Sequence, residues 1–172
     1  MNWGTVGADE LSATLWRQRR QLDFLLFLLE TQLLHLRAGN WHRLDFTASE
    51  LEKVLENFRF ESLARGVEAS ALAAEWNAPD QVNLPALIDL APPGLWPELF
   101  SDHRREMVAL LAGIDHAAEA NTELLLAPPS AESADGDVGD LGLLTRDANI
   151  HRALSAVRAV SLRTLRTFLG LD

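Results

Sequence analysis

Residues 9–38 read DELSATLWRQRRQLDFLLFLLETQLLHLRA, thirty positions without proline or glycine. Within them Leu11, Leu15, Gln18, Leu22, Leu25, Leu29, Leu33 and Leu36 recur at spacings of three and four, the period of one helix face. Asp9 suits an N-cap, and Arg37 with Gly39 just beyond suits a helix end. The centre, QLDFLLFLLETQLLHL, adds Phe24, Leu26, Phe27, Leu28 and Leu34, so apolar side chains cover more than one face. Such a helix is either central in a bundle or covered by a second chain.

Outward from this helix, a second is expected from Asn40 as cap to about Arg65, with Trp41, Leu44, Ala48, Leu51, Leu55, Phe58 and Ser62 in phase. Thr47-Ala-Ser-Glu50 reads as a capping box and offers a competing start, but the stripe keeps phase across it, which favours one continuous helix. So short a connection implies an antiparallel hairpin. Two short helical pieces, Glu68 to Trp76 and Leu84 to Leu90, are separated by Asn77-Ala-Pro79-Asp and closed by Pro92-Pro93-Gly94. A third long helix is expected from Leu95 or Pro97 to Leu126, with Gly113 inside it costing about 1 kcal/mol relative to Ala.

Residues 128–148, PPSAESADGDVGDLGLLTRDA, mix Pro, Gly, Ser and Asp without periodicity and read as a flexible acidic linker. Residues 149–169 are periodic again: Ile150, Leu154, Val157, Leu165 and Phe168 fall near one face, and Arg152, Arg158, Arg163 and Arg166 elsewhere. The expected architecture is all-α: an antiparallel bundle of long helices over 1–127, an acidic linker over 128–148, and a C-terminal amphipathic helix over 149–172. That helix is either the last of the bundle or a detachable arm whose apolar face meets a partner.

Composition narrows the function. The chain has 172 residues, 48% hydrophobic and 23% charged, as in folded soluble proteins. There is no cysteine, which removes disulfides, thiolate chemistry and cysteine-bound metals. The opening MNWGTVGADEL has no basic and then apolar stretch, so no secretory signal is expected, and the apolar run Phe24 to Leu29 is far shorter than the ~20 residues of a membrane span. The cytoplasm is the expected location. Net charge is −1 over 1–66, −12 over 67–148 and +3 over 149–172. A total of −10 argues against nucleic acid as partner.

Catalytic patterns are sparse. There is no P-loop, no dinucleotide fingerprint and no Gly-x-Ser-x-Gly elbow. His103-x-x-Glu106 and His116-x-x-Glu119 reverse the order used in di-metal bundles, and thirteen residues of offset place them about 220° apart around one helix. They read as solvated faces. Glu30, inside the most apolar segment, lacks a partner at catalytic spacing and reads as a structural hydrogen bond or an exposed flank. Trp16 and Trp41 read as core or interface aromatics, and the acidic residues between Ala131 and Asp140 as solvated linker. The expectation is a chain with no enzymatic activity, no cofactor and no metal.

The run LWRQRRQLDFLLFLLETQLLHLRAGNWHRL, Leu15 to Leu44, resembles the opening of flagellar export chaperones of the FlgN family, in the form found in high-GC Gram-positive bacteria. Glu30, Leu33, Gly39 and Leu44 carry the likeness, and Ala118-Glu-Ala-Asn121-Thr-Glu-Leu124-Leu125 looks like the family's Asn-and-leucine segment. The likeness spans about residues 9–126. The proline-rich stretch Asn77 to Gly94 and the long linker depart from it. The resemblance implies an ATP-independent cytoplasmic chaperone that binds hook-filament junction proteins, prevents their assembly before type III secretion, and also meets the export apparatus. It implies client binding through the terminal helix, which by position is Ile150, Leu154, Val157, Leu165 and Phe168. The competing readings are a generic helical adaptor or homo-oligomer with Phe24 to Leu34 as a permanent self-interface, and a ferritin-like metal enzyme.

Overall fold

In the computed structural model, residues 4–78, 82–127 and 140–172 are described, and all of their regular structure is helical. Six α-helices follow in order: α1 Gly4–Ala38, α2 Leu44–Glu75, α3 Leu84–Leu90, α4 Leu95–Leu126, α5 Asp140–Ala159 and α6 Leu162–Leu169. A 3-10 turn, Trp41–Arg43, leads into α2. The all-α class expected from the leucine periodicity is the class observed.

The chain divides into two compact units. One comprises Met1–Asp23, Glu56–Leu111 and Leu162–Asp172, and is called unit 1; the other comprises Phe24–Leu55 and Ala112–Ser161, and is unit 2. In unit 1, Ala8, Leu11, Leu15 and Leu22 of α1 are buried, as are Phe58, Leu72 and Ala73 of α2, Phe100, Met107 and Leu111 of α4, and Leu165 and Leu169 of α6. Arg17 pairs with Glu61 at 3.5 Å, and Gly7 lies against Leu72 and Glu75, so α1 and α2 run antiparallel here. The short helix α3 is capped by Asn83, whose Oδ1 accepts from the Ala86 amide at 3.0 Å, and has Pro85 in its first turn. It is joined to the chain end by the Leu84 amide, which donates to the Gly170 carbonyl at 2.8 Å.

In unit 2 the buried apolar set is Leu25, Leu28, Leu29 and Leu36 of α1, Leu44, Ala48, Leu51 and Val54 of α2, Ile114, Ala117 and Leu125 of α4, Ala153, Ala156 and Val157 of α5, and Val160 just beyond it. The chain reverses between α1 and α2 through Gly39, whose φ of +73° is left-handed and favours glycine. Gly113 has a packing reason that propensity alone does not show. A Cβ there would come within 3.3 Å of Leu26 Cδ2, so its absence lets α4 approach α1 closely.

Several boundaries differ from expectation for identifiable reasons. Helix α2 does not end at Arg65 but runs through Gly66 to Glu75, because Ala69, Leu72 and Ala73 continue its buried face. It therefore absorbs the piece expected as a separate helix over 68–76, and ends where Asn77 turns to φ +57°. At its start the 3-10 turn separates Asn40 from the helix, and Asn40 makes no side-chain cap; its Nδ2 lies 3.3 Å from His35 Nδ1. The expected linker is helical from Asp140 onward. Its remainder, 128–139, lies outside the described residues. The terminal segment is two helices rather than one, interrupted at Val160 and Ser161, and they belong to different units: α5 to unit 2, α6 to unit 1.

Candidate functional site

The five residues expected to meet a client are distributed unevenly. Ile150, Leu154 and Val157 lie on α5, and Leu165 and Phe168 on α6. Val157 and Leu165 are buried, while Ile150, Leu154 and Phe168 are intermediate. The apolar line of this segment is thus used largely within the chain's own units. Arg152 secures α5 to α2 through ion pairs with Asp45 and, at 3.2 Å, Glu52. The hydrogen bonds that Arg152 donates, to Glu52 first and then to Asp45, raise its already high pKa. Asn149 Nδ2 donates to the Trp41 carbonyl at 3.2 Å, and Arg146 lies over the Trp41 ring at 4.6 Å. In unit 1 the rings of Phe168 and Phe58 are 6.2 Å apart, and Arg65 Nε donates to the Phe168 carbonyl at 3.1 Å.

Two buried polar sites hold side chains with chemical potential. In unit 1, Ser12 Oγ lies 3.0 Å from His103 Nε2, the outline of a serine–histidine dyad. The other ring nitrogen settles its polarity. His103 Nδ1 is 3.2 Å from Arg19 Nη1, and a guanidinium only donates, so Nδ1 accepts and the ring proton resides on Nε2. His103 therefore donates to Ser12, the reverse of what a nucleophile requires from its base. Burial first, and Arg19 second, lower the His103 pKa to about 4, opposed by Asp102. Arg19 is held by Asp102 at 3.5 Å and Glu106 at 4.0 Å, and its guanidinium lies 4.0 Å from the centroid of the Trp16 ring, which meets His103 edge-on. His103 and Glu106 thus serve one packing node around Trp16.

In unit 2 the buried side chain of Asn121 donates to the carbonyls of Leu29, at 2.9 Å, and Ala117, at 2.8 Å, and accepts from Gln32 Nε2 at 2.9 Å. Gln32 Oε1 in turn accepts from Thr47 Oγ1 at 2.7 Å. This chain fixes the register of α1, α2 and α4. Glu30, His116 and Glu119 are exposed. Among the described residues no group of three or more His, Asp or Glu side chains is placed to hold a metal ion, and no helix is long and apolar enough to cross a membrane.

The surface holds the more informative features. On α2 in unit 1, Phe60 is 74% exposed, Leu63 68% and Val67 72%. With Ala64, Ala71 and Ala74, also open to solvent, they form one line at helical spacing. In unit 2, Phe27 is 59% and Leu34 65% exposed, and Phe24 stacks on Phe27 with ring centroids 6.2 Å apart. The excess of apolar residues in the centre of α1 pointed to this second surface. The first was missed because the stripe through Leu51, Leu55 and Phe58 drew attention to the opposite side of α2. The available signal was the phase of Phe60, Leu63 and Val67, which lies outside that stripe. No family model, no curated protein and no solved structure matches the chain.

Proposed function

We propose that the chain is a protein-binding chaperone of the flagellar export type, which holds hook-filament junction proteins in the cytoplasm and prevents their assembly before type III secretion. The observation that carries the protein-binding part is the open apolar line Phe60, Leu63 and Val67 on a helix whose other side is packed. Aromatic and branched side chains at i, i+3 and i+7 are what a helical client engages. The flagellar part is supported by the resemblance of Leu15 to Leu44 and of the segment around Asn121. Binding at an open face needs no disassembly, whereas seating a client on Val157 and Leu165 requires both to leave their cores. The expected client is the amphipathic terminal helix of a junction protein, released again at the export apparatus without ATP. Calorimetric titration of the full chain with the C-terminal region of a junction protein tests the reading, and absence of heat at high micromolar concentration contradicts it.

A second reading has its own observation. The stacked Phe24 and Phe27 with Leu34 form a separate open patch in unit 2, suited to a permanent homo-oligomeric contact. Sedimentation across a wide concentration range distinguishes the two, since an obligate oligomer shows no monomer on dilution.

A further inference from the structure

Phe60, Leu63, Ala64, Val67, Ala71 and Ala74 fall within about 100° of one another around α2 at ~100° per residue, and extend roughly 21 Å at ~1.5 Å per residue. The line changes along its length. Its N-terminal half presents large side chains, and its C-terminal half only alanines, so a second helix can approach most closely toward Ala74. The flank beside it is acidic. Glu61, Glu68 and Glu75 recur every seven residues along one edge. Glu61 is ion-paired with Arg17, and Glu68, whose Oε2 is buried without a hydrogen bond among the described residues, feels the charge of Arg65 on its own helix, whereas Glu75 is exposed. Glu56, one turn before Phe60, falls in phase with the apolar line rather than with the glutamate edge, and the cation Arg59 lies on the other edge.

From this juxtaposition we infer that the α2 line is the docking site for a partner α-helix whose apolar face carries large side chains and whose flank carries lysine or arginine. The inference rests on the protein-binding reading above and names where, and by what chemistry, the partner is held. A second copy of α2 fits less well. Antiparallel pairing about a two-fold axis sets each flank against its own copy, so the glutamate row faces like charge; parallel pairing offers it little beyond Arg59.

The test titrates the full chain with two synthetic helical peptides that share one leucine face, one flanked by lysines and the other by glutamates. The lysine peptide binds about fivefold more tightly at low salt, and the gap closes as salt screens the flank. Phe60→Ser with Leu63→Ser weakens it at least about tenfold, Glu68→Lys with Glu75→Lys reverses the peptide preference, and Phe27→Ser leaves both titrations unchanged. Equal affinity for both peptides, or no response to the Phe60 and Leu63 changes in a protein with an unaltered melt, overturns the inference. So does a dimer in sedimentation that the same two changes abolish, since the occupant is then a second copy. Junction-protein binding that ignores those changes overturns this site while leaving the chaperone reading standing. Peptide binding that obeys them, in a chain that binds no junction protein, supports the site and contradicts the flagellar assignment.

Discussion

Gln18 and Gln32 lie on the same helix and are both fully buried, yet one belongs to unit 1 and the other to unit 2. In unit 2, Gln32 is one link of a chain from Thr47 to Asn121 in which its donor and acceptor both find partners. In unit 1, neither Gln18 Nε2 nor Oε1 has a hydrogen-bond partner among the described residues. The same contrast recurs around them. Unit 1 also holds a buried histidine kept neutral and the open apolar line of α2, whereas unit 2 fastens α5 with Arg152 and seats Gly113 against Leu26. Both units leave apolar side chains open to solvent, so the difference lies in the buried polar groups: unit 2 joins its own into a network that fixes register, and unit 1 tolerates an unpartnered amide and a neutral histidine that lower stability.

The largest change expected from any single substitution is at Leu165, which is fully buried in unit 1. Leu165→Asp puts an unpartnered charge into the core and should lower stability by about 4 kcal/mol in urea unfolding. A melt close to that of the parent shows instead that α6 is a detachable arm, as one reading of the sequence had it. Next is acid sensitivity. The His103 pKa is lowered from 6.5 to about 4, so the unfolded chain binds the proton more readily. Stability is therefore retained above pH 6.5 and lost as the pH falls toward 4, by up to about 3 kcal/mol at ~1.4 kcal/mol per unit. His103→Gln should flatten that part of the profile relative to the parent; an unchanged slope assigns it to the carboxylates.

The helices themselves were largely legible. Leucines at threes and fours, the Pro92-Pro93-Gly94 break and Gly39 mark the end of α1 and both bounds of α3 and α4 closely because each signal is local: a missing amide, a left-handed turn, an apolar face. The start of α1 was misplaced: the helix begins at Gly4, and Asp9, expected as its cap, lies inside it beyond Gly7. Gly66 misled, since a glycine alone costs only about 1 kcal/mol and the continuing buried face of Ala69, Leu72 and Ala73 outweighs it. The break at Val160 and Ser161 has no proline or glycine to announce it, although serine before Leu162 is a favoured helix start. The division of the terminal face between two units was not legible, because amphipathicity says that a face is covered and not by what. The same limit hid the α2 line. Periodicity cannot tell a stripe that meets its own fold from one left open.

Smaller effects sharpen the contrast between the two glutamines. Asn121→Ala removes the α4 end of the unit 2 network and leaves Gln32 Nε2 without its acceptor, which should cost about 2 kcal/mol. Gln18→Met, nearly the same size and without polar atoms, should instead raise stability by about 1 kcal/mol. If both substitutions destabilise equally by chemical denaturation, the two buried amides are equivalent and the contrast fails.

The smallest expected effect on stability belongs to the residues with the largest expected effect on binding. Phe60→Ser with Leu63→Ser removes apolar surface already exposed to water, so the melt should shift by less than about 0.5 kcal/mol. The decisive measurement is calorimetric titration of this variant and of the parent chain with the lysine-flanked helical peptide, with the melts of both recorded beside it. The same melt and an affinity at least about tenfold lower are expected in the variant. An unchanged affinity in the folded variant would show that the α2 line is not where the helix docks.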